Sequence, residues 1–376
     1  MFIFERIIGL AVYVGVLVFI CLLLFSSKIS CKKILRFYLV CLCVIAYFYK
    51  PYITADLYRI NEMLDQFSKT NFNDFCNSYL VDSRVPLAHI LYWCISQTKI
   101  NNLLPVFSTL VCYSIIFYVI NKTKEIFEIS RQTVACVLLF VMTTSMYIST
   151  IGGIRMMLAL CLILYSFFRN VVEKKKGILE IAFYIMALLL HEMSYAVVSI
   201  CLITILLFYK TKLINKVIFF VAIIVGGALF CLLFSNTIID IYYKFLSYIT
   251  GDEYSDIWEY IMGSLIIVLL LVSSLRCKRI EDEESYQKIK VINVATIFFI
   301  LVSLCFCFEF SMFYRFGGQL AVLFSIPSLM ISIDKKSKNY STIISNAGYK
   351  NIIFLLIFLI AFISCTRGSL SSLKFF

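Results

Sequence analysis

Twelve apolar runs recur along this chain, parted by short polar segments, and they leave few folds open. They are Ile7–Phe25, Ile34–Tyr49, Leu103–Ile120, Val134–Ser149, Ile154–Val172, Ile178–Leu190, Tyr195–Tyr209, Val217–Phe234, Tyr260–Leu275, Val291–Phe310, Gly317–Ile333 and Asn351–Cys365. A hydrocarbon layer of about 30 Å takes roughly 20 helical residues to cross, and the longer runs approach that length. Inside lipid the backbone must satisfy its own hydrogen bonds, which favours helices. The expected class is therefore all-α: a polytopic membrane protein with about 12 transmembrane or re-entrant helices, residues 1–376 forming a single integral membrane domain. Hydrophobic residues make up 62% of the chain and charged residues 15%, well away from the balance of a soluble domain. Met1 to Phe25 has no basic leader and no small-residue cleavage site, so it reads as a first membrane helix.

The net charge of +12 does not imply nucleic acid, because of where the charges lie. Six short loops, Lys28–Arg36, Asn121–Thr133, Arg169–Gly177, Lys210–Lys216, Arg276–Lys290 and Asp334–Lys350, hold 23 of the 34 basic residues. By the positive-inside rule these six face the cytoplasm and both termini face out. The alternation survives only if residues 178–209 form two helices meeting at His191-Glu192-Met193-Ser194. Residues 50–102 then become the one long extracytoplasmic loop. In it Ile53, Leu57, Ile60, Leu64 and Phe67 repeat at helical spacing, which predicts an amphipathic helix at the interface. Val85 to Ser96 follows, with Pro86 near its start, too short to span and suited to a re-entrant segment.

With that orientation, the unusual polar residues gather on the outer side. Arg155 opens an apolar run after Gly152-Gly153, glycines that let backbones approach closely. His191 and Glu192 sit at an outer junction, and Arg315 at another within Phe313-Tyr314-Arg315-Phe316-Gly317-Gly318-Gln319. Asp56, Arg59 and Arg84 belong to the long loop. Charge at a membrane edge is costly and points to function. Arginine is suited to bidentate phosphate binding and stays charged when half buried. Plainer roles stand beside these: snorkelling for Arg155, an interfacial anchor for Arg315, an interhelical hydrogen bond for His191, a solvated helix end for Glu192, and a wet helix face for Asp56 and Arg59. His89 reads as structural. Asp252, Glu253 and Asp256 read as a solvated loop, and Gly226-Gly227 as close helix packing. The 15 cysteines form no CxxC pair or zinc spacing, although Cys76 and Cys94 have the placement to pair if their loop is exported. No metal, cofactor or nucleotide motif is found.

At three places the chain resembles the EpsG/Wzy-like polysaccharide polymerases of bacterial surface glycan assembly. They are Asp56-Leu57-Tyr58-Arg59, Gly153-Ile154-Arg155-Met156-Met157-Leu158-Ala159-Leu160, and Leu190-His191-Glu192-Met193-Ser194-Tyr195. Met156 stands where the family commonly has Gln, and Asp82-Ser83-Arg84 is what meets the acidic residue expected before the re-entrant piece. The resemblance implies kinship with membrane lipid-phosphosugar glycosyltransferases. It implies polymerisation of undecaprenyl-diphosphate-linked oligosaccharide, as donor and acceptor, at the extracytoplasmic face of the bacterial cytoplasmic membrane. Membrane lipid and a chain-length regulator protein are the other partners implied. The roles that follow are diphosphate binding for Arg155 and Arg315 and acceptor or second-lipid binding for Arg59 and Arg84. His191 would be the base, with Asp56 and Glu192 behind it. A lipid-linked oligosaccharide flippase and an O-antigen ligase are the competing classes. The first would want repeated halves, and no internal repeat is visible.

Overall fold

A computed structural model describes residues 2–51, 55–81, 83–144, 146–208, 257–276, 283–307, 310–334 and 346–366. Among these every regular element is helical: α1 (Phe2–Ser26), α2 (Cys31–Phe48), α3 (Asp56–Phe67), α4 (Phe72–Phe75), α5 (Pro86–Ser96), α6 (Leu103–Ile126), α7 (Arg131–Thr143) and α8 (Met146–Gly152) come first. They are followed by α9 (Ile154–Val171), α10 (Ile178–Leu190), α11 (Ser194–Phe208), α12 (Ile257–Arg276), α13 (Glu283–Cys305), α14 (Phe310–Phe313), α15 (Ala321–Ile333) and α16 (Asn346–Thr366). Two π-helical turns, Cys76–Leu80 and Tyr314–Leu320, continue α4 and lead into α15. The apolar run Val217–Phe234, the basic loop Lys210–Lys216, Gly226-Gly227, Asp252, Glu253, Asp256, Ile53 and Asp82 lie outside the described residues.

The helical class holds, but a count of about twelve crossings does not follow from these helices. Five, Ile7–Ser26, Leu103–Ile126, Ile154–Val171, Ser285–Cys305 and Tyr314–Ile333, are long and apolar enough alone. A sixth arises if α7 and α8, bent by 51° at their junction, form one broken span. The run Val134–Ser149 thus divides, for reasons in the tertiary structure. Tyr13 donates to the Met142 carbonyl at 2.6 Å, and the Thr144 hydroxyl to the Val141 carbonyl at 2.7 Å, so the break leaves fewer orphaned groups. Helix α2 carries Lys32, Lys33 and Arg36 in its first turns, and Ile178–Leu190, Ser194–Leu207, Tyr260–Ser274 and Ile352–Thr366 are apolar but shorter.

The two-helix reading of residues 178–209 is what forms: α10 ends at Leu190 and α11 begins at Ser194. The basic loops also meet at one end. Arg131 donates to the Ser27 carbonyl at 2.6 Å, and the Asp334 carboxylate accepts from the Ser130 backbone at 3.1 Å. Tyr118 donates to Glu173, and Lys175 lies 3.2 Å from the same carboxylate. This end also holds polar groups that the expectation of a single polar face overlooked. Glu180 is 2% exposed and lies 2.7 Å from Arg169, while Asp334 is buried as the cap of α7. Glu180 is answered by Arg169, and Asp334 accepts from the Ser130 N–H and the Thr133 hydroxyl.

The glycine pairs differ in kind. A Cβ on Gly317 would lie 2.6 Å from Ser303 Oγ and 3.1 Å from Ile267, whereas one on Gly152 would meet nothing within 4 Å. Close approach is therefore real at Gly317, and Gly152 instead borders open space. Ser303 cannot readily yield, because its hydroxyl donates to the Phe313 carbonyl at 2.6 Å. Gly317→Ala is expected to destabilise the protein by about 1–3 kcal/mol and Gly152→Ala by nothing measurable. Heat-induced loss of monodisperse detergent-solubilised protein checks both.

Candidate functional site

The site is built around α5 and the start of α9. Leu57, Ile60, Leu64 and Phe67 are buried as the spacing predicts, leaving Asp56, Arg59 and Glu62 exposed. That stripe turns into protein, since α3 packs on α5 and Phe67 meets the rings of Phe75 at 5.2 Å and Tyr79 at 4.7 Å. Pro86 takes the first turn of α5, where its missing N–H costs nothing. Helix α5 packs in turn on α10, whose end carries His191. Cys76 and Cys94 are free thiols.

Arg155 is the second residue of α9 and half buried. Gly153 precedes that helix without a side-chain cap, so its first N–H groups stay open. Among the described residues no carboxylate or carbonyl pairs with the Arg155 guanidinium. An unanswered cation beside an uncapped helix start attracts an anion through both charge and dipole. Open space at Gly152 leaves room for one.

The charge of Arg155 is felt on α5. It helps hold the His89 imidazole below its usual pKa, although burial is the larger cause and the Tyr79 carbonyl pulls the other way. Tyr92, one turn along, is 1% exposed and its hydroxyl has no hydrogen-bond partner among the described residues. Burial raises that phenol, Arg155 lowers it and Asp56 raises it, so both charges act at Tyr92. Asp56 itself pairs with Arg59 on the exposed face of α3.

Arg84 and Glu192, far apart in sequence, come within 4.0 Å and join the loop before α5 to the junction after α10. Both are partly exposed, so the pair positions more than it stabilises, by at most about 1 kcal/mol. At that junction His191 is extended, with its Nδ1 accepting from the Met193 backbone at 3.1 Å. Arg315 lies half buried in the second π turn, a distortion frequent at functional sites. Arg315 and Arg155 are not bonded to each other. Instead Gln319, one turn beyond Arg315, donates to Ser149 on α8 at 2.7 Å and ties the two segments together.

The predicted residues thus fall into three groups around α5, α8 and the α10–α11 junction. His89, Tyr92 and Gln319 were not singled out in the sequence as site residues. The signal available was His89-x-x-Tyr92 on one helical face, three residues apart.

These features define a class: a multi-pass membrane protein, helical throughout its described residues, with an arginine at one helix start that no described residue answers and whose charge is felt at a histidine and a tyrosine. The chain belongs to the EpsG family, the Wzy-like polysaccharide polymerases and exopolysaccharide biosynthesis proteins, whose model matches residues 87–374. The matched stretch takes in His89, Arg155, His191 and Arg315, while Asp56, Arg59 and Arg84 precede it. No curated protein and no solved structure matches the chain.

Proposed function

We propose that the protein polymerises undecaprenyl-diphosphate-linked oligosaccharide repeat units at the extracytoplasmic face of the bacterial cytoplasmic membrane. The growing chain on its lipid diphosphate is the donor, and a sugar hydroxyl of a newly delivered unit is the acceptor. The acceptor oxygen bonds to the anomeric carbon as the bond to the diphosphate breaks, and the electron pair leaves with the diphosphate. The observation that carries this reading is Arg155: half buried, without a counter-ion among the described residues, at an uncapped helix start with open space beside it.

Such a group is suited to charge that develops on a leaving diphosphate in a water-poor site, where a fixed cation acts most strongly. Arg315 joins it through the segment tied by Gln319 and Ser149. Arg59 and Arg84 guide the acceptor or the second lipid, with Arg84 oriented by Glu192. The family resemblance offers His191, Asp56 and Glu192 for the proton of the acceptor hydroxyl. Membership of a polysaccharide-biosynthesis family supports the substrate class. A chain-length regulator is a further partner of this reading, setting how long the product grows and not whether it forms.

Deleting the gene and resolving surface glycan on a gel tests the reading. Loss of the ladder with single repeat units still displayed is the expected result. A null that displays no units at all would favour a flippase or a ligase and overturn the polymerase.

A further inference from the structure

His89 and His191 are the only histidines in the chain, and their hydrogen bonds favour opposite tautomers. The His89 Nδ1 lies 3.1 Å from the Tyr79 carbonyl, which can only accept and so favours a proton on that nitrogen over a lone pair facing it. The Ser83 hydroxyl lies 2.9 Å from the same nitrogen. In the neutral ring the lone pair is therefore on Nε2, which makes no hydrogen bond among the described residues. His191 is the reverse. Its Nδ1 accepts from the Met193 N–H, which can only donate, so its Nε2 carries the proton. To accept a proton at Nδ1, His191 must release the backbone group it caps.

We propose that His89, oriented by the Tyr79 carbonyl, is the catalytic base that takes the acceptor proton at Nε2, and that the Tyr92 hydroxyl binds the same substrate. The proposal rests on the polymerase reading above. The proton of the sugar hydroxyl moves to His89 Nε2 while the new glycosidic bond forms and the diphosphate departs with its electron pair. A second observation points to a ligand here: the Tyr92 hydroxyl is a fully buried polar group without a partner among the described residues, one turn from His89. Buried hydroxyls are nearly always satisfied, so one left open that feels the charge of an arginine with no partner among the described residues is suited to a polar substrate. The groups facing His89 are the Tyr79 carbonyl, the Ser83 hydroxyl, the Phe67 ring at 6.4 Å and, through their charge, Arg155. Among the described residues none is a carboxylate that would hold the imidazole protonated.

Asparagine separates the two histidines, because its amide stands in for Nδ1 and lacks Nε2. In His89→Asn the amide N–H keeps a donor for the Tyr79 carbonyl, and in His191→Asn the amide oxygen keeps an acceptor for the Met193 N–H. Full-length protein is placed in phosphatidylethanolamine–phosphatidylglycerol vesicles with lipid-linked repeat units extracted from the deletion strain, and chain growth is followed between pH 5.5 and 8. Wild type should be fastest at neutral pH and lose rate only on the acid side of a free imidazole's titration, because burial first and the Arg155 charge second favour the neutral His89 ring. His89→Asn should lower kcat about 100- to 1000-fold, move KM less than about threefold, and remove that acid limb. His191→Asn should keep the limb. Wild-type extension with His89→Asn unimpaired, or an acid limb lost only in His191→Asn, overturns the assignment alone. Wild-type protein that extends nothing overturns the polymerase reading and the assignment with it.

Discussion

Arg155→Ala is expected to cut chain growth by about three orders of magnitude and to leave the protein at least as heat-stable as before. The size of the loss follows from what the guanidinium would do. A positioned cation on a transferring or leaving phosphate is worth about 10³-fold or more, since its stabilisation grows as the charge develops. The stability follows from what the guanidinium lacks. It makes no hydrogen bond or ion pair among the described residues, and a half-buried cation held without a counter-ion is a cost to the fold. Removing it leaves no orphaned carboxylate behind. Arg155→Lys should fall between, losing about 10- to 100-fold, because an ammonium keeps the charge but not the two-pronged geometry. Extension of lipid-linked units in vesicles measures the first effect, and thermal scans in detergent the second. An alanine variant with a normal ladder would end the diphosphate role.

Much of this arrangement can be read in the residues, and what cannot has a common cause. Apolar length marks the helices because transfer to lipid rewards it residue by residue. The junction at His191 emerges from charge alternation alone, and the buried stripe of α3 from a spacing of three and four. The break between α7 and α8 is different. It is supported by the Tyr13 hydroxyl reaching the Met142 carbonyl from far along the chain. The π turn at Tyr314–Leu320 depends likewise on Gly317 lying against Ser303 and Ile267. Neither partner is local, so no window of sequence contains the information.

The site shows the same division. Arg155 stands out by type and place, yet the reason given for its glycines suits Gly317 better than Gly152. The Arg84–Glu192 contact joins two residues that were singled out separately. A histidine's tautomer is further from view. It is set by whichever backbone group happens to face one ring nitrogen, here Tyr79 for His89 and Met193 for His191. Residue type alone made the two equivalent; their neighbours give them opposite chemistry.

Glu180→Ala should do the reverse of Arg155→Ala, destabilising the protein by about 3 kcal/mol while sparing the activity of each surviving molecule. Arg155 and Arg169 stand on the same helix, 18 residues long and so about 27 Å from end to end. Unlike Arg155, Arg169 is answered: the Glu180 carboxylate lies 2.7 Å away, the Tyr165 hydroxyl 2.6 Å, and the Gly177 N–H also donates to Glu180 at 2.8 Å. Glu180 is almost wholly buried, so removing it strands a mostly buried guanidinium and a helix-start N–H together. Breaking one side of such a pair costs about 3–5 kcal/mol, whereas replacing both sides with apolar residues of similar volume is often neutral. Arg169→Met with Glu180→Leu should therefore recover most of the loss. Heat-induced aggregation in detergent reads the stability, and extension rate per folded molecule reads the chemistry. If Glu180→Ala is as stable as wild type, the pair is not what holds α9 to α10. If its activity falls as far as that of Arg155→Ala, the two ends of the helix do not divide structure from chemistry. The contrast between them rests on which arginine has its counter-ion: a protein keeps a cation unanswered only where something else is to answer it.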